Sequence, residues 1–280
     1  MITVAVLGTG KVGSALSRAL ASGGLDVVQL SSRGTDRAGA RAADLVVLAV
    51  GDDAIGPVAD DLAAEWGPAE TARDHGVVHC SGALDRTPLE PLARIGWLTG
   101  AWHPMQAFAS PDSPVLPGVT WGTTADPALL PLLHDLTAVL DGHLLLLRAE
   151  DRARYHAAAA IASNYTDVLV HHAALLLEDC GLARQDALHA LLPLVRTSLD
   201  GLERAGLPDG LTGPLARGDL GTVRRHLAAL ADRPVTARLY REAGLAAEPM
   251  LAERGMDGPT RQALDSVLRN PDGVGDGPGA

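Results

Sequence analysis

The sequence predicts an α/β protein: a doubly wound parallel sheet followed by an all-helical second domain. Three observations predict it. Short apolar, β-branched runs alternate with helical spacing over residues 1–149. A glycine-rich hexapeptide joins the first run to the first helix. From residue 150 onward only helical periodicity remains, over 150–268. Alternating strands and helices are the pattern of a parallel sheet covered on both faces.

Each element has its own signal. Residues 2–7 (ITVAVL) are an apolar run ending at Gly8, a buried strand. Residues 12–20 carry Val12, Leu16, Ala19 and Leu20 on one helical face. Residues 26–30 form a second strand. Residues 44–50 (DLVVLAV) form the third, the strongest buried-strand signal in the chain. A helix over 55–66, a strand over 76–80, a helix over 84–95 and a strand over 97–103 follow. Residues 119–123, a helix over 127–140 and residues 143–147 complete the alternation. Helices are then predicted over 151–179, 184–205, 218–231, 233–247 and 260–268. A boundary near residue 149 therefore separates the two domains. The tail over 269–280 is rich in glycine, proline and acid, without apolar period, and reads as disordered.

The chain has 280 residues and a formal net charge of −11. An acidic surface repels phosphate backbones, which argues against a nucleic-acid partner. No apolar run is long enough to span a membrane. The N-terminus lacks the basic region of a signal peptide. Cys80 and Cys180 form no metal or redox pair and read as buried free thiols in a reducing cytoplasm. The ten histidines include no HExxH spacing, so no metal site is expected. Lys11 is the only lysine, so lysine chemistry elsewhere in the chain is excluded.

Gly8-Thr9-Gly10-Lys11-Val12-Gly13 fits G-x-G-x-x-G, between a predicted strand and a predicted helix. The first glycine allows the turn, the second lets a pyrophosphate approach the backbone, and the third lets the helix pack closely. The helix N-terminus offers N–H groups and partial positive charge. In that context it reads as a dinucleotide-binding turn; the opposing reading is an ordinary glycine-rich turn of an α/β protein. The second strand ends in Ser31-Ser32-Arg33, with no acid for a ribose 2′-OH. Two hydroxyls and a guanidinium suit a 2′-phosphate, which favours NADP(H) over NAD. The opposing reading takes these as a polar loop, with Asp36 serving NAD.

Ligands of such sheets bind beyond the carboxyl ends of the strands. Three loops there carry polar residues. Val50-Gly51-Asp52 would pass beside the nicotinamide half; Asp53 doubles as a natural helix N-cap. His79-Cys80-Ser81-Gly82 follows the fourth strand, and His103-Pro104-Met105-Gln106 the fifth. The first helix of the second domain places His156, Ser163, Asn164, Asp167 and His171 on one side. That stripe faces either water or a substrate. Ala157 to Ala160 keep the helix slim.

The stretches GTGKVGSAL, ADLVVLAVGDDAI, HCSGAL, WHPMQAFA, YHAAAAIASNY and LTGPLARGD together resemble a Rossmann-like NADP oxidoreductase family. Its C-terminal domain has no assigned function. The family is related to pyrroline-carboxylate reductase, ketopantoate reductase and the β-hydroxyacid dehydrogenases. The resemblance implies NADPH use and a homodimer formed through the helical domain. It carries over His79 and Ser81, His103, His156 and Asn164, and Thr212, Arg217 and Asp219. Two departures stand out. Ala160 occupies the place where β-hydroxyacid dehydrogenases have a lysine four before the asparagine. Asp200 stands where the family has an asparagine.

These readings converge on an NADPH-dependent oxidoreductase delivering hydride to a C=O or C=N of a small, carboxylate-bearing substrate. His103 is the first candidate for general acid and His156 the second, because a histidine titrates near neutrality. Ser81 and Asn164 would hydrogen-bond the reacting group. His79, Gln106 and Arg217 would contact substrate, Arg217 by gripping a carboxylate. In the opposing reading of that stretch, Gly218 breaks a helix, Asp219 caps the next and Arg217 pairs with it. The alternative function is a non-catalytic NADP(H)-binding sensor or partner-binding module.

Overall fold

The computed structural model describes residues 2–32, 37–68 and 75–270. Arg33 and Asp36, and the tail beyond residue 270, lie outside the described residues. The chain divides into two compact units, Met1–Asn164 and Tyr165–Ala280. The first unit thus extends past residue 149 and takes in one helix more than the sequence pattern assigns to it.

All seven predicted strands form one sheet: β1 (Thr3–Leu7), β2 (Asp26–Leu30), β3 (Leu45–Leu48), β4 (Gly76–His79), β5 (Leu98–Pro104), β6 (Thr120–Ala125) and β7 (His143–Leu146). Their order is β2-β1-β3-β4-β5-β6-β7. The central strands are apolar on both faces because helices cover both. Val4 and Val6 of β1 join the cluster of Leu16, Leu20, Leu133 and Leu136, from α1 (Lys11–Ser22) and a later helix. Ala5 and Leu7 join the opposite cluster of Ile55, Leu62, Trp66 and Leu92. Each fully buried Leu or Val contributes about 1.5–3 kcal/mol. The alternation within β1 therefore holds both layers.

After β2 comes a one-turn helix, α2 (Ala38–Arg41). α3 (Asp52–Trp66) follows β3, and α4 (Glu90–Arg94) follows β4 behind a 3₁₀ turn. Gly51 is the N-cap of α3, and Asp52 and Asp53 occupy its first turn, so Asp53 is not the cap. The sheet departs from purely parallel at one pair. β5 and β6 run antiparallel, with His103 opposite Gly122. The segment between them carries no crossover helix, so the chain returns in the opposite sense. Trp102 and Trp121 stack across this pair with ring centroids 4.1 Å apart. The Trp102 indole N–H donates to Thr137 Oγ1 (3.0 Å) on α5 (Leu130–Val139).

The helix expected over 151–179 is two: α6 (Arg152–Ala162) and α7 (Asn164–Asp179). The break falls at Ser163-Asn164, where small polar side chains that compete for backbone partners replace an alanine run. The unit boundary lies at the same point.

In the second unit, α7 and α8 (Arg184–Ala205) are followed by α9 (Gly213–Ala216), α10 (Leu220–Ala229), α11 (Pro234–Ala246), α12 (Glu248–Glu253) and α13 (Gly258–Arg269). α12 lies beyond the predicted end at 247. Pro249 forbids continuation of α11 but suits the first turn of a new helix. The core comprises Val223, Leu227, Leu251, Leu264, Val267 and Leu268, from α10, α12 and α13. Asp219 caps α10, accepting from the Thr222 N–H (2.9 Å), as the capping reading expects. Cys180 is exposed rather than buried, because it follows the last turn of α7. Among the described residues no helix is long and apolar enough to cross a membrane.

Candidate active site

The turn from β1 into α1 accounts for each glycine of the hexapeptide. Gly8 has φ +141°, and a Cβ there would lie 2.2 Å from the Ala49 carbonyl oxygen. A Cβ on Gly13 would lie 2.2 Å from the Gly8 carbonyl oxygen. These two are needed by the fold. Gly10 differs: its φ is −77°, and a Cβ would meet nothing within 4 Å. Gly10 is the N-cap of α1, and no side chain caps that end. The open space beside uncapped helical N–H groups fits a phosphate group. Gln29, which the sequence reading missed, braces the turn by donating to the Gly8 carbonyl (2.9 Å).

Gly10, Lys11 and Val12 line a cavity of about 430 Å³ together with Val50, Gly51, Asp52, Cys80, Ser81, Gly82, His103 and His156. Thr9 is exposed at the turn, and its carbonyl accepts from Ser14 Oγ (3.3 Å). Ser31 and Ser32 follow β2 directly. The Ser32 carbonyl accepts from Arg37 Nη2 (2.5 Å), and Arg37 also pairs with Asp61.

The loop after β4 is built by His79 and Ser81. The Ser81 N–H donates to His79 Nδ1 (3.2 Å), so that nitrogen carries no proton. The proton sits on Nε2, which donates to the Asp85 carbonyl (2.7 Å). His79 is completely buried, and burial holds its pKa below the ordinary histidine value. It lines neither this cavity nor the one described next. The substrate contact expected of His79 is therefore corrected: both ring nitrogens are spent on the loop. Ser81 lines the cavity, but its hydroxyl is also committed. It donates to Asp52 Oδ2 (2.9 Å) and accepts from the Ala83 and Leu84 N–H groups (3.3 and 3.1 Å). A catalytic hydrogen bond from Ser81 to substrate would have to break this set.

A second cavity, of about 530 Å³, is lined by His103, Met105, Gln106, Ala107, His156, Ser163, Asn164 and alanines of α6. The slim alanine face and the start of the polar stripe thus border a cavity rather than bulk water alone. Gln106 lines it, with its amide partly occupied. Nε2 donates to the Pro114 carbonyl (2.7 Å), and Oε1 accepts from the Leu116 N–H (3.0 Å). Gln106 thus organises its own loop, and one N–H of its amide remains for a substrate contact.

His103 and His156 border both cavities. Their ring centroids lie 5.9 Å apart, edge to face. His103 Nδ1 lies 2.9 Å from the Tyr155 hydroxyl. Burial first, then the neighbouring His156, Arg152 and His79, lower the His103 pKa to about 4. His103 is therefore a neutral imidazole at neutral pH. The first candidate for general acid is thus uncharged at rest. His156 is exposed at the same junction. Burial raises the Tyr155 phenol above its ordinary value, so it stays protonated. Cys80 is likewise silent, its thiol pushed up to about 12 by burial. Tyr155 and Arg152 were missed in sequence. Both lie in the helix that carries His156, but only the antiparallel β5–β6 pair brings Gly122 and His103 against them. Arg217 belongs to the second unit, where it is exposed after α9.

Residues 119–247 match the model of a domain of unknown function, DUF2520. No curated protein shows a significant sequence match to the chain. Solved structures share the fold. A Bacteroides fragilis protein assigned as an NADP oxidoreductase is 22% identical, with a TM-score of 0.67 over 88% of this chain and 97% of its own. A Thermotoga maritima protein is 21% identical, with a TM-score of 0.70 over 90% of this chain and 99% of its own. An imine reductase of Streptomyces aurantiacus is 17% identical, with a TM-score of 0.63 over 95% of this chain and 99% of its own. The chain thus has the Rossmann-type fold of these proteins, with a helical C-terminal region.

Proposed function

We propose that this protein is an NADPH-dependent oxidoreductase that reduces a C=O or C=N of a small, carboxylate-bearing substrate. One observation carries the reading: His103 and His156 border both the cavity beside the glycine turn and the adjacent alanine-walled cavity. A cofactor in the first and a substrate in the second would meet at these two rings. The fold likeness to an NADP oxidoreductase and an imine reductase supports the same class.

NADP(H), when bound, supplies the hydride. Gly10, Lys11 and Val12 would hold its pyrophosphate at the uncapped helix end. Ser31, Ser32 and Arg33 would hold the 2′-phosphate, and Val50, Gly51 and Asp52 would flank the nicotinamide half. The Tyr155 hydroxyl holds His103 at Nδ1, and Nε2, beside Gly82, would hydrogen-bond the reacting group. His156 is the proton donor, and Asn164 hydrogen-bonds the substrate.

We further propose a homodimer through the helical domain. α7 and α8 run 16 and 22 residues, yet each buries a single residue, Ala174 and Ala187. Tyr165, Val168 and Leu169 on α7 and Leu194 and Leu199 on α8 are exposed. Helices of that length need an apolar partner face. A reducing cytoplasm is the compartment this reading calls for.

The test is fluorescence titration with NADPH and NADH, on the native protein and Arg33→Ala. Tight NADPH binding, weaker NADH binding and a loss confined to NADPH in the variant are expected. NADPH oxidation is then followed across a panel of keto acids and cyclic imines. Binding of neither dinucleotide would sink the proposal.

A further inference from the structure

Arg152 opens α6 and is completely buried. Its hydrogen-bond acceptors are all neutral: the Ser81 carbonyl for Nη2 (2.5 Å), and the Gly122 carbonyl (3.4 Å) and Thr124 Oγ1 (3.3 Å) for Nη1. Nε has no partner. Asp85 and Asp52 favour its charge from a distance, but neither forms an ion pair with it, and burying a guanidinium on neutral acceptors is costly. The position needs a reason beyond packing.

The reason lies in what Arg152 grips. The Ser81 carbonyl belongs to the Ser81–Gly82 peptide. A Cβ on Gly82 would lie 2.5 Å from His156 Cδ2 and 2.9 Å from His103 Nε2. The peptide held by Arg152 is therefore the one packed against both histidines. The other arm of the guanidinium is anchored to β6, which pairs with the strand carrying His103. One side chain thus ties the β4 loop, the β5–β6 pair and α6 together around the junction of the two cavities.

We propose that Arg152 is a positioning residue for the hydride-transfer centre. Its fork fixes the Ser81–Gly82 peptide against His103 and His156, and its charge sits behind them. The role in transfer rests on the oxidoreductase reading; the positioning of the two rings does not. The charged and titratable groups around His103 are Tyr155, His156 and Arg152 on α6 and His79 on β4.

The test is NMR of the histidine side chains across pH, on the full chain, with NADPH titrations alongside. In Arg152→Met the His103 midpoint should rise by on the order of one pH unit, as a nearby charge is lost. The His103 and His156 ring signals should shift. Arg152→Lys should keep the low midpoint but still displace the ring signals, because an ammonium cannot reproduce the fork. A folded Arg152→Met protein with unchanged midpoint and ring signals overturns the proposal. If that variant does not fold, Thr124→Val decides against Thr124→Ser, since the valine removes one acceptor of the guanidinium and the donor to the Leu147 carbonyl but no charge, and the serine keeps both bonds. Displaced ring signals support the proposal, and unchanged signals overturn it. Failure of the native protein to bind NADPH would instead sink the oxidoreductase reading, leaving the ring measurements to judge Arg152.

Discussion

His103 Nδ1 lies 2.9 Å from the hydroxyl of Tyr155, 52 positions away in the chain. The contact joins the end of a sheet strand to the first helix after the sheet. It fixes one nitrogen of the imidazole and leaves the other beside Gly82. Tyr155→Phe removes the hydroxyl and keeps the ring. Turnover should fall about tenfold, consistent with loss of one hydrogen bond of roughly 1–1.5 kcal/mol. NADPH affinity should be unchanged. Equal turnover in the variant would count against a role for this contact in the reaction.

His156 carries the proton in the proposed reaction. His156→Asn should lower turnover by a factor on the order of 10²–10⁴. Steady-state kinetics with the best substrate of the panel measures this. Retained turnover would move the acid elsewhere.

The glycines of the turn divide by purpose. Gly8→Ala and Gly13→Ala force a Cβ against a carbonyl oxygen and should cost on the order of 1–3 kcal/mol or more of stability. Gly10→Ala meets open space and should leave the melting temperature near native, yet weaken NADPH binding at least about tenfold by crowding the pyrophosphate. Thermal melts and dinucleotide titrations separate the two classes.

Acid should destabilise the fold over a defined window. His103 has a folded pKa of about 4 against an ordinary value of 6.5, so between these values the unfolded chain binds more protons. Its contribution is full above about 6.5 and is lost as pH falls towards 4. His79 shifts in the same direction. The melting temperature should drop through that window, and His103→Gln should flatten the drop. An identical pH profile in the variant would contradict the burial argument.

Dimerisation is testable at α8. Leu194→Glu with Leu199→Glu places charge on exposed apolar positions. Sedimentation should show a dimer for the native chain and a shift to monomer for the variant. A monomeric native protein would require another explanation for this face.

The sequence by itself determined the sheet and most of the helices. Hydrophobic period is a local property, and the runs at Val4–Leu7 and Leu45–Leu48 read as buried strands because helices cover both their faces. The glycine turn was equally legible, since its spacing follows from one strand meeting one helix. Only the tertiary structure decided which polar residues are available for chemistry. His79 and Ser81 looked like ligands by residue type, but each is committed to partners brought by loop closure. Tyr155 and Arg152 looked like ordinary helix residues until the β5–β6 pair closed over them. Hydrogen-bond saturation and burial are properties of three-dimensional packing, and no local pattern records them.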